Sequence, residues 1–200
     1  VCAVLMELIQ GEGGVLPLDT AFVQEVASFC KSRDILLLID EVQTGVGRTG
    51  TLFCFQQYGI EPDAVTFAKG IAAGLPFGGV LAAKSCADTL CAGTHATTFG
   101  GNPICAAGAN AVLAQLTPDL LAEVAQKGAY IRETVAGWNL PVVTSVRGLG
   151  LMIGIGVSCS HREAVGKLVE NGLLALTAGA DTIRLMPPLT ITEAEIDAGL

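Results

Sequence analysis

The chain has 200 residues, of which 51% are hydrophobic and 15% charged, and its formal net charge is −8 at pH 7. These values exclude an intrinsically disordered chain, and the negative charge disfavours nucleic acid or anionic lipid as a partner. The uncharged stretches are broken by Pro, Gly, Asn and His, so no membrane span is expected. Seven cysteines without a Cys-x-x-Cys motif indicate free thiols in a reducing cytosol and no metal site.

The first part of the chain alternates between strand and helix signals. Short apolar runs predict strands buried on both faces, as in parallel sheets, at residues 1–9, 35–40, 64–68 and 80–83. Strands that alternate with helices over short connections are typical of an α/β fold with a mainly parallel sheet. We therefore expect residues 1–116 to belong to a large α/β domain.

Two helices are predicted within this domain. A capping residue at position 19 or 20 begins the first helix, whose apolar face is expected to hold Phe22, Val26 and Phe29. The second helix begins where a capping Asn precedes Pro103 and runs to about residue 116, because Pro is tolerated at the first helical position.

Residues 117–200 carry a different pattern. A Thr-Pro pair at 117–118 and capping boxes at 160–163 and 192–195 each begin a helix. Strand-like runs lie between these helices, at residues 142–146, 149–157, 173–176 and 182–186. This segment is expected to form a small α+β domain. The chain starts inside an apolar run without an initiator Met and stops soon after a helix cap, so we expect a piece of a longer protein.

Polar residues end three of the predicted strands. Glu7 lies near the end of the first strand, Asp40 ends the second and Lys69 follows the third. The carboxyl ends of parallel strands are where α/β proteins gather functional groups. The sequence therefore predicts a site that contains Asp40 and Lys69, while Glu7 is either part of its surroundings or a packing residue.

The segment from Gly45 to Gly50 fits the G-x-G-x-x-G pattern of dinucleotide-binding proteins. Its context argues against a nucleotide, since two acidic residues precede it and no clear helix follows to bind a phosphate at its N-terminus. We expect a tight turn that needs positive φ angles. A dinucleotide-dependent oxidoreductase remains the alternative, and it predicts that NAD raises the melting temperature.

Lys69 and Asp40 together indicate pyridoxal phosphate chemistry. A lysine amine that is desolvated at an apolar strand end is a nucleophile for a carbonyl group. An ionised Asp can keep the pyridinium nitrogen of the cofactor protonated, so that the ring accepts electrons. Because residues 40 and 42 share a face of an extended segment, Val42 is expected to pack against that ring.

Four motifs follow in order along the chain: Asp40-Glu-Val-Gln-Thr-Gly45, Gly47-Arg-Thr-Gly50, Lys69-Gly70 and Thr97-Thr-Phe-Gly-Gly-Asn-Pro103. This order resembles the class III aminotransferases, which are fold-type I pyridoxal-phosphate enzymes. Residues 9–14 and 178–189 are most similar to the acetylornithine aminotransferases within that family. The resemblance covers essentially the whole chain.

The resemblance implies a cofactor site and a homodimer. Lys69 would carry the cofactor and move a proton during the reaction, and Asp40 would pair with the ring nitrogen. Thr98 would bind the cofactor phosphate across the dimer interface. The remaining cofactor contacts would come from the residues after Asp40, which are Glu41, Val42 and Gln43.

The resemblance also implies a substrate site and an activity. Arg184 would bind a substrate carboxylate, Glu12 would neutralise Arg184 when no carboxylate is present, and Thr97 would face the substrate. Arg147 is expected to be structural. The implied reaction moves the terminal amine of N2-acetylornithine to 2-oxoglutarate in arginine biosynthesis.

Other donors and another class stay open. Ornithine, succinylornithine or 4-aminobutyrate would keep the same chemistry. A non-catalytic dimerisation module is the alternative of a different class, since the N-terminal cofactor-binding motifs of the family are absent from these 200 residues. For this reason we expect the chain by itself to bind pyridoxal phosphate poorly.

Overall fold

The structure is a computed structural model that describes residues 1–200. The strands are β1 (Ala3–Glu7), β2 (Ile9–Gln10), β3 (Leu16–Pro17), β4 (Leu36–Asp40), β5 (Ala64–Phe67), β6 (Gly79–Ala82), β7 (Val143–Leu149), β8 (Met152–Val157), β9 (Leu176–Ala178) and β10 (Thr182–Leu185). The helices are α1 (Thr20–Ser32), α2 (Phe55–Tyr58), α3 (Pro103–Gln115), α4 (Pro118–Gly137), α5 (His161–Glu170) and α6 (Glu193–Gly199). No helix taken singly has both the length and the apolar composition to cross a membrane, and only α3 and α4 pass that test as a bent pair.

The contacts of the backbone divide the chain into two units. The first contains Val1–Leu8, Asp19–Val46 and Leu52–Thr117, and the second contains Ile9–Leu18, Gly47–Thr51 and Pro118–Leu200. Segments 9–18 and 47–51, which sequence analysis assigned to the large domain, therefore group with the second unit. Backbone hydrogen bonds from Gly179 N–H to Glu12 O and from Leu151 N–H to Arg48 O, of 2.8 and 3.0 Å, hold them there.

The first unit contains a four-stranded sheet in the order β1-β4-β5-β6. Strands β1, β4 and β5 are parallel, and β6 pairs antiparallel with β5. The predicted mainly parallel sheet is therefore present. The prediction that the first strand is buried on both faces is wrong: β1 is an edge strand that pairs only with β4, and Val1 and Leu5 are exposed.

Helix α1 begins as predicted but buries another face. The Asp19 side chain accepts a hydrogen bond from the Phe22 N–H and caps the helix. Val23 and Cys30, seven residues apart on one face, are buried, whereas Phe22 and Phe29 are each 52% exposed. The predicted face was therefore wrong by one position, which is about 100° around a helix.

Helix α3 supports the segment that begins at Lys69. Asn102 Oδ1 accepts hydrogen bonds from the N–H groups of Ile104 and Cys105, so the predicted cap is confirmed. The helix packs on the 3₁₀ segment Lys69–Ala72. The small core of this region consists of Val46, Ile71, Ala72 and Ala109.

The second unit is built on an antiparallel sheet in the order β7-β8-β10-β9. All six residues of β8 are buried, and α4 contributes Val124, Ile131 and Val135 to the same core. The predicted strand at 173–176 is instead β9 at Leu176–Ala178. The two-residue strands β2 and β3, which the sequence pattern did not reveal, pair with each other.

Candidate active site

Three polar residues lie side by side at the carboxyl edge of the first unit's sheet. Glu7 of β1 is in register with Asp40 of β4, and Asp40 is in register with Thr66 of β5. The Thr66 hydroxyl donates a hydrogen bond of 3.0 Å to Asp40 Oδ1. Strand pairing therefore places Asp40 in the centre of this row.

The half-buried carboxylate of Asp40 also ends its own strand. Oδ1 accepts a second hydrogen bond, of 2.9 Å, from the N–H of Val42. An Asp side chain that binds the backbone two residues ahead turns the chain, so the segment after residue 40 is not extended. The expectation that residues 40 and 42 share a face of an extended segment is therefore wrong. Both bonds reach Oδ1, which leaves Oδ2 for a ligand.

Lys69 follows β5 at the same edge of the sheet, three residues after Thr66. It begins the 3₁₀ segment with a left-handed φ of 49°, and the buried side chains of Ile71 and Ala72 hold that segment in place. Within this chain the Lys69 side chain is exposed. The residues of this chain therefore do not provide the predicted desolvation of the Lys69 amine.

Glu41 is completely buried, and its carboxylate faces the protein interior. Oε2 accepts hydrogen bonds from the Thr44 hydroxyl and the Cys54 N–H, both of 2.8 Å, and Oε1 accepts one of 2.7 Å from the Phe55 N–H. Burial raises the pKa of Glu41, and these hydrogen bonds oppose the rise. Both oxygens are used by the chain, so the carboxylate of Glu41 does not favour the expected contact with a cofactor.

The turn from Gly45 to Gly50 does not provide a nucleotide-binding helix. Val46, Gly47 and Gly50 have positive φ angles of 57°, 82° and 96°, as a tight turn requires. The next helix, α2, begins only at Phe55 and has four residues. A phosphate at this turn would have no helix N-terminus to bind, so the dinucleotide alternative loses its support.

The other expected cofactor residues are accessible to different degrees. Val42 and Gln43 are half-buried in the turn after Asp40. Thr97 and Thr98 are exposed in the irregular segment before α3, next to Phe99, which is 82% exposed. Within this chain, neither threonine is covered by another element.

The second unit brings together Arg184, which is expected to bind a substrate carboxylate, and Glu12, which is expected to neutralise Arg184 when no carboxylate is present. Arg184 Nη1 donates a hydrogen bond of 2.6 Å to Glu12 Oε1, although the residues are 172 positions apart. The Arg184 side chain is only 9% exposed, whereas that of Glu12 is 73% exposed. A buried guanidinium with an exposed acidic partner can exchange that partner for the carboxylate of a ligand.

Arg147, which sequence analysis treated as structural, is bonded to the turn that carries Glu12. Its Nε donates to the carbonyl oxygens of Gly14 and Val15, and its Nη2 donates to Gly14 O and to the Thr182 hydroxyl. No local sequence pattern predicts these contacts, since 133 positions separate Arg147 from Gly14.

Comparisons with known proteins identify the family of the chain. The family model described as aminotransferase class-III matches residues 1–200. The chain is 47% identical to the acetylornithine aminotransferase of Haemophilus ducreyi over 202 residues, which cover 100% of this chain and 51% of that protein. The N-acetylornithine aminotransferase structure from Stenotrophomonas maltophilia has a TM-score of 0.87 at 39% identity, over 99% of this chain and 54% of that one.

A third relative has the cofactor in its solved structure. The ornithine aminotransferase of Toxoplasma gondii, whose active site holds pyridoxal phosphate at partial occupancy, has a TM-score of 0.93 at 33% identity over 98% of this chain and 48% of that one. The chain thus spans about half the length of these relatives. The predicted α/β fold is confirmed by the structural likeness. Because the family model matches the chain along its whole length, the chain belongs to the class-III aminotransferase family.

Proposed function

We propose that the protein containing this chain is a pyridoxal-phosphate-dependent aminotransferase. The observation that carries this proposal is the placement of two residues at one edge of the sheet. Asp40 ends β4, and Lys69 follows the adjacent parallel strand β5 at the same edge. This cofactor forms a Schiff base with a lysine amine, and a carboxylate can pair with its ring nitrogen. Membership in the class-III family supports the same assignment.

The residues of the first unit fit the cofactor. Asp40 Oδ2 is available to accept a hydrogen bond from a protonated ring nitrogen, while the Thr66 hydroxyl and the Val42 N–H fix the other oxygen. The exposed amine of Lys69 is accessible to an aldehyde. Gln43 would lie near the phenolic oxygen and Val42 against the ring.

Each of these residues has one task in the proposed mechanism. The bound cofactor supplies a ring that accepts electrons from the substrate. Asp40, at the sheet edge, would pair with the ring nitrogen and favour its protonated form. The Lys69 amine accepts a proton from the substrate carbon and returns it to a neighbouring carbon, as a general base and then a general acid.

The second unit supplies the carboxylate site. Arg184 would bind a carboxylate of 2-oxoglutarate or glutamate through its planar fork. Glu12 would pair with Arg184 while the other substrate reacts. With Thr97 facing the substrate, the reaction would convert N2-acetylornithine and 2-oxoglutarate to an N-acetyl semialdehyde and glutamate, a step of arginine biosynthesis.

Two acetylornithine aminotransferases at 47% and 48% identity support N2-acetylornithine as the donor. Ornithine is the second candidate, because solved ornithine aminotransferases have TM-scores of 0.92 and 0.93. Steady-state comparison of the two donors on the full-length protein decides between them. A higher kcat/KM for unacetylated ornithine would overturn our choice.

We also propose a cytosolic homodimer in which Thr98 binds the cofactor phosphate of the partner subunit. The exposure of Thr98 and of the large apolar side chains of Phe99 and Ile104 supports this, because exposed apolar side chains are a feature of surfaces that another chain covers. The odd number of cysteines is consistent with a reducing compartment.

The test of the proposed function uses the full-length protein. Pyridoxal phosphate is added, the bond to the protein is fixed with borohydride, and the labelled peptide is mapped. We expect the label on Lys69 and its loss in Lys69→Ala. The control is Lys84→Ala, since Lys84 is also exposed at the start of a 3₁₀ segment. Label on another residue, or none, would favour the non-catalytic module.

A further inference from the structure

Glu12 lies in the five-residue turn, residues 11–15, that joins β2 to β3. The backbone of this turn is fixed from two sides. Gly179 N–H, in the turn between β9 and β10, donates a hydrogen bond of 2.8 Å to Glu12 O. On the other side, the guanidinium of Arg147 binds the carbonyl oxygens of Gly14 and Val15 at 2.8 to 3.2 Å.

The same guanidinium reaches the strand that carries Arg184. Arg147 Nη2 donates a hydrogen bond of 2.6 Å to the hydroxyl of Thr182, two residues before Arg184 on β10. Residues two apart on a strand share a face of the sheet. Arg147 therefore links the turn that holds Glu12 to the strand face that presents Arg184.

Strand register explains how the turn fits between the two arginines. Arg147 of β7 and Arg184 of β10 are both in register with Gly154 of the intervening strand β8. A Cβ at residue 154 would stand 2.8 Å from Val15 Cβ and 3.2 Å from Gly14 O. The absence of a side chain at Gly154 thus gives the turn a place on the sheet, with one arginine on either side.

Arg147 is not arranged to bind a ligand itself. Its Nε and Nη2 are bonded to Gly14, Val15 and Thr182, and its Nη1 donates to the Ser145 hydroxyl. Its side chain is 22% exposed. A guanidinium whose N–H groups are already taken by the chain has little left to offer a carboxylate.

We propose that Arg147 is a positioning residue that fixes the turn bearing Glu12, and thereby controls the choice of Arg184 between Glu12 and a substrate carboxylate. This inference rests on the proposed function. With the turn held by Arg147, only the exposed Glu12 side chain has to move when a carboxylate arrives. Without that anchor, formation of the Glu12–Arg184 pair must also order the backbone of the turn, which costs conformational entropy.

The kinetic test compares the two half-reactions of Arg147→Lys in the full-length holoenzyme. Lys keeps the charge but cannot replace the bidentate fork. We expect the ratio of the single-turnover specificity constant for N2-acetylornithine to that for glutamate to fall about tenfold, a coupling typical of residues in one hydrogen-bond network. The donor reaction requires the Glu12–Arg184 pair, whereas the glutamate reaction requires that the pair be open.

Arg132→Lys is the matched control, since Arg132 Nη1 also holds a backbone carbonyl of the second unit, that of Gly150 at 3.1 Å. It should leave the ratio unchanged. Thr182→Val is a milder second variant, which removes one acceptor of Arg147 and should lower the ratio in the same direction. An equal loss in both half-reactions would overturn the proposal, and a selective loss with glutamate would show that Arg147 binds the substrate carboxylate.

Hydrogen exchange tests the positioning without any substrate. The N–H groups of Val15 and Gly179 are hydrogen-bonded to Gly11 O and Glu12 O, so the intact turn protects them. We expect exchange in the peptides that contain them to be about tenfold faster in Arg147→Lys and unchanged in Arg132→Lys. Unchanged exchange in Arg147→Lys would overturn the positioning role. If the wild type performs neither half-reaction, the proposed function fails, and this measurement still decides the positioning claim.

Discussion

Asp40 and Glu41 are adjacent acidic residues with different surroundings. Asp40 lies at the sheet edge with one carboxylate oxygen bonded to the chain and the other available. Glu41 uses both oxygens to hold the hydroxyl of Thr44 and the N–H groups of Cys54 and Phe55. A buried carboxyl group that accepts three hydrogen bonds shapes the turn after β4. The residue that we propose to face the cofactor and the residue that shapes the turn are thus sequence neighbours.

Glu41→Gln tests this structural role through pH. An amide NH₂ cannot accept a hydrogen bond, so one buried backbone N–H loses its acceptor, which costs about 1–3 kcal/mol. Burial raises the pKa of Glu41 above its ordinary 4.5, so the wild-type carboxyl contributes most in its protonated form, below 4.5. That contribution is lost as the pH rises through the raised pKa. Urea unfolding should therefore show that the free energy of unfolding of the wild type exceeds that of Glu41→Gln by less and less as the pH rises from 5 to 8. An advantage that widens with pH would contradict this account.

At the scale of elements, caps and apolar periods were good predictors. The helices that begin after Asp19, Asn102, Ser160 and Thr192 all start at these caps. These signals are local, because a capping side chain satisfies an N–H two or three residues away. The prediction of the buried face of α1 was wrong, because that face depends on what the helix packs against. The strands β2 and β3 were not predicted, because a strand of two residues is too short to show an alternation of apolar and polar side chains.

Two helical glycines with different surroundings give a matched test of helix packing. A Cβ on Gly128 of α4 would collide with the carbonyl of Gly150, whereas a Cβ on Gly166 of α5 would have nothing within 4 Å. Gly128→Ala should therefore destabilise the protein by about 1–3 kcal/mol through overpacking. Gly166→Ala should stabilise it by about 0.5–1 kcal/mol, because Ala is the better helix former. The two variants are compared by urea unfolding, and equal effects would contradict this packing of α4.

At the scale of the whole molecule, the net charge of −8 and a sequence pI of about 4.6 determine how the chain interacts with charged surfaces. At pH 7 we expect it to bind an anion exchanger at low salt and to pass through a heparin column unretained, because heparin selects clustered cations. Retention on heparin at about 0.15 M salt, where screening is substantial, would contradict the absence of a basic surface.

The sequence by itself determined the alternation of strands and helices, the caps, and the residue types of the candidate site, since these depend on neighbours a few positions apart. It also identified the residues of the Glu12–Arg184 pair through family resemblance. Only the tertiary structure decided the row of Glu7, Asp40 and Thr66, the burial of Glu41 and the link from Arg147 to the turn of Glu12. Such contacts depend on strand register and on which face is covered, and a shift of one residue reverses every side chain of a strand.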